Sequence, residues 1–431
     1  MKKRSPTLLI AGAILIFLLT CTAGLYLSIS LWPSLGAQGA DVLRSIVGDK
    51  PVALLEMIYL RAGDEIQQLE YKLGITEAEA PWEFTLENTE EPLQPTAVQF
   101  PTATEAKELV EAAGEDQPAA MLTSTPALDQ GLEIPTPSLI PPTPTVEPTP
   151  TPWAPRQVQS VGEIEGEGIW SPYIRNAAGE VIAYRSFVQP DPERPYSVVA
   201  IVAFDTSKIE LNFVLGFEEP YNPEAPKRSG KILEEHKVPG TLLAAFNGGF
   251  KGQHGQSGAM SGGLVVLPPR DGLGTVAMYE DGRITMGEWG SEIIETDDMT
   301  AWRQNGPLVV QDGAINPRIN NNDPKDWGYT VDDVSPTLRS GLGISEDENT
   351  LYYFAGPKLT MEALANAMLA GGARDGIQLD INNYWVHFVV YPANLDELSP
   401  EVLLPDLMIE NFDRYLDAFG RDYFYITPRE E

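Results

Sequence analysis

A proline-rich acidic segment in the first half of the chain limits where a globular domain can form. Residues 83–153 contain twelve acidic side chains and one basic side chain, Lys107. Fourteen prolines lie from Pro92 to Pro155, many of them next to threonine. Such a segment cannot bury enough apolar surface to offset the entropy lost on ordering, so residues 77–155 are predicted to form a disordered, polyproline-like linker. Folded structure must therefore lie on either side of this linker.

The N-terminus has the pattern of a membrane anchor. Basic residues at positions 2–4 precede an uncharged stretch, residues 7–31, which is long enough to cross a hydrocarbon core of about 30 Å as one helix. Because basic residues favour the cytoplasmic side, residues 1–6 are predicted to be cytoplasmic and the C-terminal domain extracytoplasmic, in a single-pass membrane protein. A cleaved signal peptide is the alternative, but the apolar run continues past Cys21, beyond the about 7–15 apolar residues of such peptides.

On this topology, the linker is predicted to be a stalk between the membrane and the C-terminal domain. A linker of this length reaches on the order of 50 Å as a coil and well over ~150 Å as polyproline II. That reach is sufficient to hold a domain within a cell-wall or polysaccharide layer.

A helix is predicted over residues 51–74, just after the membrane segment. Apolar side chains recur there in steps of three and four, which is typical of one face of an α-helix. This apolar stripe consists of Leu55, Ile58, Ala62, Ile66, Leu69 and Leu73. Three arrangements remain open: a weak coiled-coil dimer, an amphipathic helix lying on the bilayer, and a helix that folds back on the C-terminal domain.

Charge and residue counts exclude several classes of function. The formal net charge is -33, from 62 acidic and 29 basic residues, and no segment supplies the basic surface that nucleic acid requires. One cysteine excludes a cysteine-rich zinc site, and three histidines argue against a histidine-rich metal centre. We therefore expect no nucleic-acid partner, no cofactor and no metal, with carboxylates as the remaining candidate metal ligands.

Residues 156–431 are numerous enough to bury a full core without disulfides. Strand patterns dominate the first half of this region. The clearest helix begins after Thr360, a favourable N-cap, and ends at Gly371-Gly372. We predict an α+β fold, a strand-rich domain with a mixed sheet. The predicted strands include Ser197–Phe204, Ile209–Leu215, Leu242–Phe246, Gly263–Leu267, Thr275–Tyr279 and Tyr384–Tyr391.

A glycine-rich loop at residues 246–255 is the first candidate site. Paired glycines let backbone amides approach a ligand closely, so an anion could bind there. The alternative is a tight turn that needs glycine for its geometry alone. The candidate residues of this loop are Asn247, Gly248, Gly249, Lys251 and His254.

An arginine at the start of a predicted strand is the second candidate. The guanidinium of Arg339, which precedes Ser340, could hold a phosphate through two parallel hydrogen bonds. A surface ion pair is the alternative, because residues 154–431 contain 42 acidic and 21 basic side chains.

A carboxylate at the end of a predicted strand is the third candidate. Asp380 is followed by Asn382, Asn383 and Trp385. A carboxylate can stabilise an oxocarbenium-like centre or activate water, amides can bind hydroxyls, and an aromatic ring can stack on a sugar. The alternative is an Asx turn that closes the strand.

These motifs, in this order and spacing, resemble the phosphodiester glycosidase family over residues 240–391. The matching segments are Asn247–Phe250, Gln311–Gly313, Arg339-Ser340, Gly372-Ala373 and Leu379-Asp380. Many members continue from Leu-Asp with a Gly-Gly-Gly-Ser run, whereas this chain has Ile381-Asn382-Asn383. The resemblance implies a phosphodiester glycosidase-like fold for residues 156–431.

The resemblance also implies a reaction, the hydrolysis of a sugar-1-phosphodiester at its glycosidic bond. Because the leaving group is a weak base, the enzyme must chiefly hold the phosphate and stabilise positive charge at the anomeric carbon. We expect Arg339 and the Gly248 and Gly249 amides to bind phosphate, and Asp380 to act as base or nucleophile. Lys251 and His254 are further cationic candidates. The expected sugar-binding residues are Asn247, Asn305, Asn382, Asn383 and Trp385.

A second class of function remains open. A domain of the same fold without turnover would bind or organise a surface glycopolymer, with residues 382–385 as a sugar-binding loop. In either case the expected partners are a carbohydrate phosphodiester or surface glycopolymer, and the membrane through residues 7–31.

Overall fold

The computed structural model describes residues 31–83, 153–321, 326–328 and 334–429. Nearly all of the predicted membrane segment 7–31 and most of the predicted linker 77–155 lie outside these ranges. Within the described residues, no helix has the length and apolar character needed to cross a membrane.

Two N-terminal helices form a helical hairpin. Helix α1 (Pro33–Val47) starts with proline in its first turn, where the missing N–H costs no hydrogen bond. Helix α2 (Asp49–Lys72) follows directly and confirms the helix predicted over residues 51–74. Between them, Gly48 has φ of 85°, a backbone angle that glycine adopts without a Cβ clash.

Strands dominate the remainder of the described chain, which confirms the strand-rich α+β prediction. All the pairings between these strands are antiparallel. In chain order the strands are β1 (Ser171–Arg175), β2 (Val181–Val188), β3 (Val199–Asp205), β4 (Ile209–Val214), β5 (Ala244–Asn247), β6 (Ala259–Ser261), β7 (Leu264–Leu267), β8 (Gly274–Tyr279), β9 (Ile284–Glu288), β10 (Met299–Gln304), β11 (Leu308–Gln311), β12 (Ala314–Ile315), β13 (Thr337–Ile344), β14 (Thr350–Leu359), β15 (Asp375–Ile381), β16 (Phe388–Val390), β17 (Glu401–Val402) and β18 (Tyr423–Pro428).

The strands form three sheets around a shared apolar core. The largest has the order β1-β2-β3-β14-β13-β15-β11-β12, and the two five-stranded sheets have the orders β7-β6-β10-β8-β9 and β17-β16-β5-β18-β4. One cluster of buried apolar side chains draws on strands of all three sheets, for example Phe204, Val276 and Phe246. The end of β15 meets the end of β5 here, because the Asp380 N–H donates to the Gly248 carbonyl at 3.0 Å.

Helix α3 (Met361–Gly371) packs on the eight-stranded sheet and has the ends that the sequence predicts. The Thr360 hydroxyl accepts a hydrogen bond from the Ala363 N–H at 3.1 Å, and Gly372 ends the helix with φ of 99°. The strand predicted at Tyr384–Tyr391 is shorter than expected and begins only at Phe388, because residues 382–385 form a turn.

The helical hairpin docks on the strand-rich domain through polar contacts. Asp64 of α2 is 3% exposed, and its carboxylate accepts hydrogen bonds from Arg194 Nε at 3.0 Å and from the Tyr196 hydroxyl at 2.8 Å. At the start of α1, the Ser34 N–H donates to the Glu410 carboxylate at 2.9 Å. Of the three arrangements open for residues 51–74, the structure shows the helix folded back on the domain.

The ends of the predicted linker both lie on this same unit. Near the start of the linker, the Trp82 ring packs edge-on against Phe187 with centroids 5.7 Å apart. At its end, Pro155 is buried. A stalk that separates the N-terminal helices from the domain is therefore not confirmed, because contacts of residues 33–82 with the domain join them directly.

We predict that Asp64→Ala detaches α2 from the domain. The substitution leaves the half-buried Arg194 without one of its carboxylates, and breaking a buried ion pair costs about 3 kcal/mol or more. Hydrogen exchange of the α2 amides should then become roughly a hundredfold faster. Glu65→Ala, at the exposed neighbouring position, should leave exchange unchanged. Equal protection in Asp64→Ala and the parent chain would contradict the docking role.

Candidate active site

Asp380 lies at the end of β15 and is buried. The residue is 6% exposed, and its Oδ1 accepts a hydrogen bond from the Ile381 N–H at 2.9 Å. Its Oδ2 forms an ion pair with Arg421. Burial raises the pKa of Asp380 to about 6, and the Arg421 guanidinium opposes this rise. The carboxylate is therefore mostly ionised at pH 7 and mostly protonated at pH 5.

Arg421 connects this carboxylate to a surface pocket. Its guanidinium carbon lies 4.5 Å from the centroid of the Trp385 ring, and its Nη2 donates to the Gly249 carbonyl at 3.0 Å. The Nε of Arg421 is buried and has no hydrogen-bond acceptor within the described part of the chain. A buried donor without an acceptor is costly to the folded state.

The pocket has a volume of about 260 Å³ and combines aromatic and charged walls. Aromatic rings can stack on a sugar face, and the two cations can attract an anion. The residues around it are Asp41, Phe217, Glu218, Glu219, Lys251, Tyr384, Trp385, Phe419, Gly420 and Arg421. Asp380 lies beneath this wall, through its ion pair with Arg421.

A fully buried ion pair supports the glycine-rich loop from behind. Arg303 Nε of β10 lies 2.8 Å from the Asp422 carboxylate, and neither side chain is exposed. Arg303 Nη2 also donates to the Phe250 carbonyl at 2.7 Å. Asp422 directly follows Arg421 in the chain. The pair therefore fixes both the loop and the backbone that carries Arg421.

The backbone amides of Gly248 and Gly249 both donate hydrogen bonds to Asp422. The Gly248 N–H donates to the Asp422 carbonyl and the Gly249 N–H to the Asp422 carboxylate, each at 3.0 Å. A Cβ at Gly248 would clash with the Asp422 carboxylate, and one at Gly249 with the Arg303 guanidinium. The glycines thus allow a close approach to the ion pair, and their amides do not point to the pocket.

Asn247 and Asn305 are also held by the protein itself. Asn247 Nδ2 donates to Ser340 Oγ at 2.9 Å, and its Oδ1 accepts from the Tyr353 hydroxyl at 3.0 Å. Asn305 Oδ1 accepts from the Phe250 N–H at 2.9 Å, and its Nδ2 donates to the Gln378 carbonyl at 2.7 Å. Both amides therefore join the loop to neighbouring strands at the site.

Arg339 lies away from the pocket. It is fully buried in β13, where its Nε donates to the Leu359 carbonyl at 2.7 Å and its Nη2 to the Ser335 carbonyl at 3.1 Å. The adjacent Ser340 points the other way, and its hydroxyl donates to the Asp380 carbonyl at 2.8 Å. The arginine at the pocket is Arg421, a residue that the sequence analysis missed.

Lys251 and His254 lie near the pocket, next to charged residues of α1. Lys251 Nζ is 5.9 Å from the Trp385 ring centroid and 2.8 Å from the Asp41 carboxylate. Arg44 Nη1 lies 3.2 Å from Oδ1 of the same Asp41 carboxylate. Burial lowers the pKa of His254 to about 4, and the positive charges of Arg44 and Lys251 add to this effect. His254 is therefore neutral at physiological pH.

The asparagines after Asp380 have different surroundings. Asn382 adopts φ of 77°, and its Oδ1 accepts from the N–H groups of Tyr384 at 2.9 Å and Trp385 at 3.1 Å. This is the Asx turn that the sequence left open, and it presents Trp385 to the pocket. Asn383 is exposed and does not line the pocket.

No metal site is found in the described ranges. Among these residues, no group of three or more His, Cys, Asp or Glu side chains is placed to hold a metal ion. The charged groups around the pocket instead pair with one another, as Asp380 does with Arg421 and Asp41 with Lys251.

Comparison with protein families confirms the predicted resemblance. Residues 240–380 match the model of the phosphodiester glycosidase family. This matched segment includes the glycine-rich loop and Asp380. No curated protein matches the chain.

Among solved structures, 14 chains have detectable similarity to this chain, and two of them are as follows. The first is the zebrafish N-acetylglucosamine-1-phosphodiester alpha-N-acetylglucosaminidase catalytic domain auto-inhibited by pro-peptide, with 14% identity and a TM-score of 0.38. That match covers 60% of this chain and 87% of the zebrafish chain. The second is a hypothetical protein from Synechocystis, with 10% identity, a TM-score of 0.31, and coverage of 63% of this chain and 64% of that one.

We predict that Asp422→Asn destabilises the domain strongly. Removing one charge of a fully buried pair leaves Arg303 uncompensated, which costs about 3–5 kcal/mol. The free energy of unfolding, measured with denaturant, should fall by this amount. Asp298→Asn, which breaks an exposed contact with Arg283, should change it by less than about 0.5 kcal/mol. Similar values for the two variants would show that the buried pair does not support the fold.

We also predict that Asp41→Asn strengthens binding of inorganic phosphate at the pocket. The Asp41 carboxylate neutralises Lys251 and excludes a second anion from its neighbourhood. Its removal should lower the dissociation constant roughly fivefold at low salt, equivalent to about 1 kcal/mol, and less at high salt. Calorimetric titration measures this, with Glu65→Gln as the control on the same hairpin. Weaker binding in Asp41→Asn would contradict the assignment.

Proposed function

We propose that this domain, in which residues 240–380 match the phosphodiester glycosidase family, hydrolyses the glycosidic bond of a sugar-1-phosphodiester. The observation that carries the proposal is the Arg421 guanidinium, which belongs to a residue that lines the pocket and which holds the Asp380 carboxylate. Arg421 would bind the phosphate, and Asp380 would stabilise the positive charge that develops at the anomeric carbon. The products would be the free sugar and a phosphomonoester.

Arg421 is proposed to bind the phosphate, the role that the sequence analysis gave to Arg339. A guanidinium has five N–H donors, so it can serve Asp380, the Gly249 carbonyl and a phosphate oxygen together. Lys251 adds a second positive charge on the same pocket wall. These two cations act against the acidic surroundings, which include Glu218 and Glu219.

Asp380 is proposed to act at the anomeric carbon, as base or as nucleophile. As a base, it takes one proton from water while the water oxygen bonds to the anomeric carbon and the bond to the phosphate oxygen breaks. As a nucleophile, its oxygen bonds to that carbon while the bond to the phosphate oxygen breaks and the phosphomonoester leaves, and water then hydrolyses the glycosyl ester to the free sugar and the carboxyl group. Both roles require the ionised carboxylate, which predominates above pH 6.

The aromatic walls are proposed to bind the sugar. The pocket is near the lower end of the about 300–1,000 Å³ usual for ligand sites, so it suits a single sugar residue. Trp385 and Tyr384 offer ring faces at its edge, and Arg421 holds Trp385 in place by stacking on it. The substrate class would be an N-acetylglucosamine-type phosphodiester or the phosphodiester-linked sugar of a wall polymer or exopolysaccharide.

The proposal includes an extracytoplasmic location. It is supported by the basic residues at positions 2–4 and by the uncharged stretch 7–31, which together have the pattern of a single-pass anchor. A surface glycopolymer would then be within reach of the domain.

A second candidate function is binding of a surface glycopolymer without turnover. The observation in its favour is the Ile381-Asn382-Asn383 sequence, where the resemblance expects a glycine-rich run after Leu-Asp. Asn382 there builds a turn, in which its Oδ1 accepts the N–H groups of Tyr384 and Trp385. On this function the pocket still binds sugar, and Trp385 is its main contact.

The deciding experiment uses the full chain and an aryl-phosphate diester of N-acetylglucosamine. We expect release of the sugar, and at least a hundredfold lower kcat/KM in Asp380→Asn, because the reacting carboxylate is lost. Asp396→Asn, at an exposed position, is the control and should keep full activity. Sugar release at the parent rate by Asp380→Asn would refute the assignment. Binding without release in the parent chain would favour the second function.

We further predict an acidic limb near pH 6 in the pH profile of kcat/KM. Activity should rise with pH as Asp380 ionises, and its pKa is about 6. Because Arg421 lowers this pKa, Arg421→Met should move the limb to higher pH and also raise KM for the phosphodiester. A limb that stays in place in Arg421→Met would show that Asp380 does not control the profile.

A further inference from the structure

The apolar stripe of α2 lies on the side of the helix away from the domain. Asp64, which anchors the docking face, is nine residues from both Leu55 and Leu73, or about two and a half turns at 3.6 residues per turn. Nine residues therefore place these leucines opposite the anchor. The exposed fractions along the stripe are 60% for Leu55, 57% for Ile58, 59% for Ile66, 57% for Leu69 and 64% for Leu73.

Helix α1 adds to this exposed apolar surface. Its residues Ser34, Asp41 and Arg44 contact Glu410, Lys251 and Glu56, while a second row of its side chains is exposed. This row is Leu35, Val42 and Ile46, with 53%, 59% and 72% exposure. Large exposed apolar surfaces on a protein usually mark an interaction site.

The chain before the hairpin indicates what covers this surface. The uncharged stretch 7–31 ends two residues before α1 begins at Pro33, and its length matches the thickness of a bilayer. A helix pair attached so closely to the predicted membrane-spanning segment cannot move far from the lipid surface. Trp32 and Tyr59, both exposed, are the residue types that prefer the boundary between lipid and water.

We propose that the helical hairpin lies on the bilayer surface through this stripe, which comprises the exposed apolar residues of α2 and the row on α1. Its opposite side carries the domain through Asp64, so the domain is held at the membrane surface. Apolar residues on one face and charged residues on the other are the pattern of helices that lie in the interface plane. This proposal does not depend on the proposed enzymatic activity.

The test uses the full chain reconstituted in phosphatidylcholine vesicles, with Cys21→Ser to remove the native thiol. Ile58→Cys places a label on the stripe. Gln67→Cys places the same label on a flank of α2 turned away from the stripe, where the side chain is half-buried. Each cysteine carries an environment-sensitive fluorophore, and quenching by a lipid-attached nitroxide is compared with quenching by iodide in solution.

The proposal expects the label at position 58 to be quenched at least threefold more by the lipid nitroxide than by iodide, and the label at position 67 to show the reverse. Efficient iodide quenching at position 58 would overturn it. Protection from both quenchers with cross-linking between copies would identify a dimer instead. Protection of the label at position 58 from both quenchers without cross-linking would show that residues 7–31 of the same chain, and not lipid, cover the stripe. Failure of the full chain to associate with vesicles would also overturn it.

Discussion

The buried ion pair between Arg303 and Asp422 organises the candidate site. Its carboxylate accepts the Gly249 N–H, its guanidinium donates to the Phe250 carbonyl, and the Asp422 carbonyl accepts the Gly248 N–H. Burying two charges removes them from water, a cost that is offset only when their hydrogen bonds are satisfied by the protein. Here the glycine-rich loop supplies hydrogen-bond partners to the pair. The loop thus supplies hydrogen bonds to Asp422 Oδ2 and to Arg303, while Asp422 Oδ1 has no hydrogen-bond partner among the described residues. The pocket arginine contacts the same loop through the Gly249 carbonyl.

The position of the pocket arginine, Arg421, is not predicted by any single sequence motif. Arg339 and Ser340 are neighbours in β13, so their side chains lie on opposite faces of the sheet. Only the pairing of β13 with β15, which sets Arg339 beside Ile381, determines that Ser340 faces the site. Arg421 precedes β18, which pairs with β5. No local pattern indicates that pairing, because more than 170 residues of sequence separate Arg421 from the loop that it contacts.

The docking face of the helical hairpin is likewise not predicted by its sequence pattern. The periodicity of residues 51–74 correctly predicted a helix, since apolar spacing is a local property. An apolar stripe is ordinarily the buried side of a helix, yet this helix docks through Asp64 and leaves the stripe exposed. The reason is that Arg194 and Tyr196 supply two hydrogen-bond donors to that carboxylate. The hairpin therefore contributes Asp41 to the pocket wall and an apolar surface on its far side.

By itself, the sequence determined the features that depend on neighbouring residues or on composition: the strand-rich α+β class, the ends of α3 and the family resemblance. Tertiary structure alone decided which arginine borders the pocket, which carboxylate supports the loop and which face of α2 docks. The physical reason is that a buried charge must find its partner in space. Such partners come from strands and helices distant in the chain, so no local pattern specifies them.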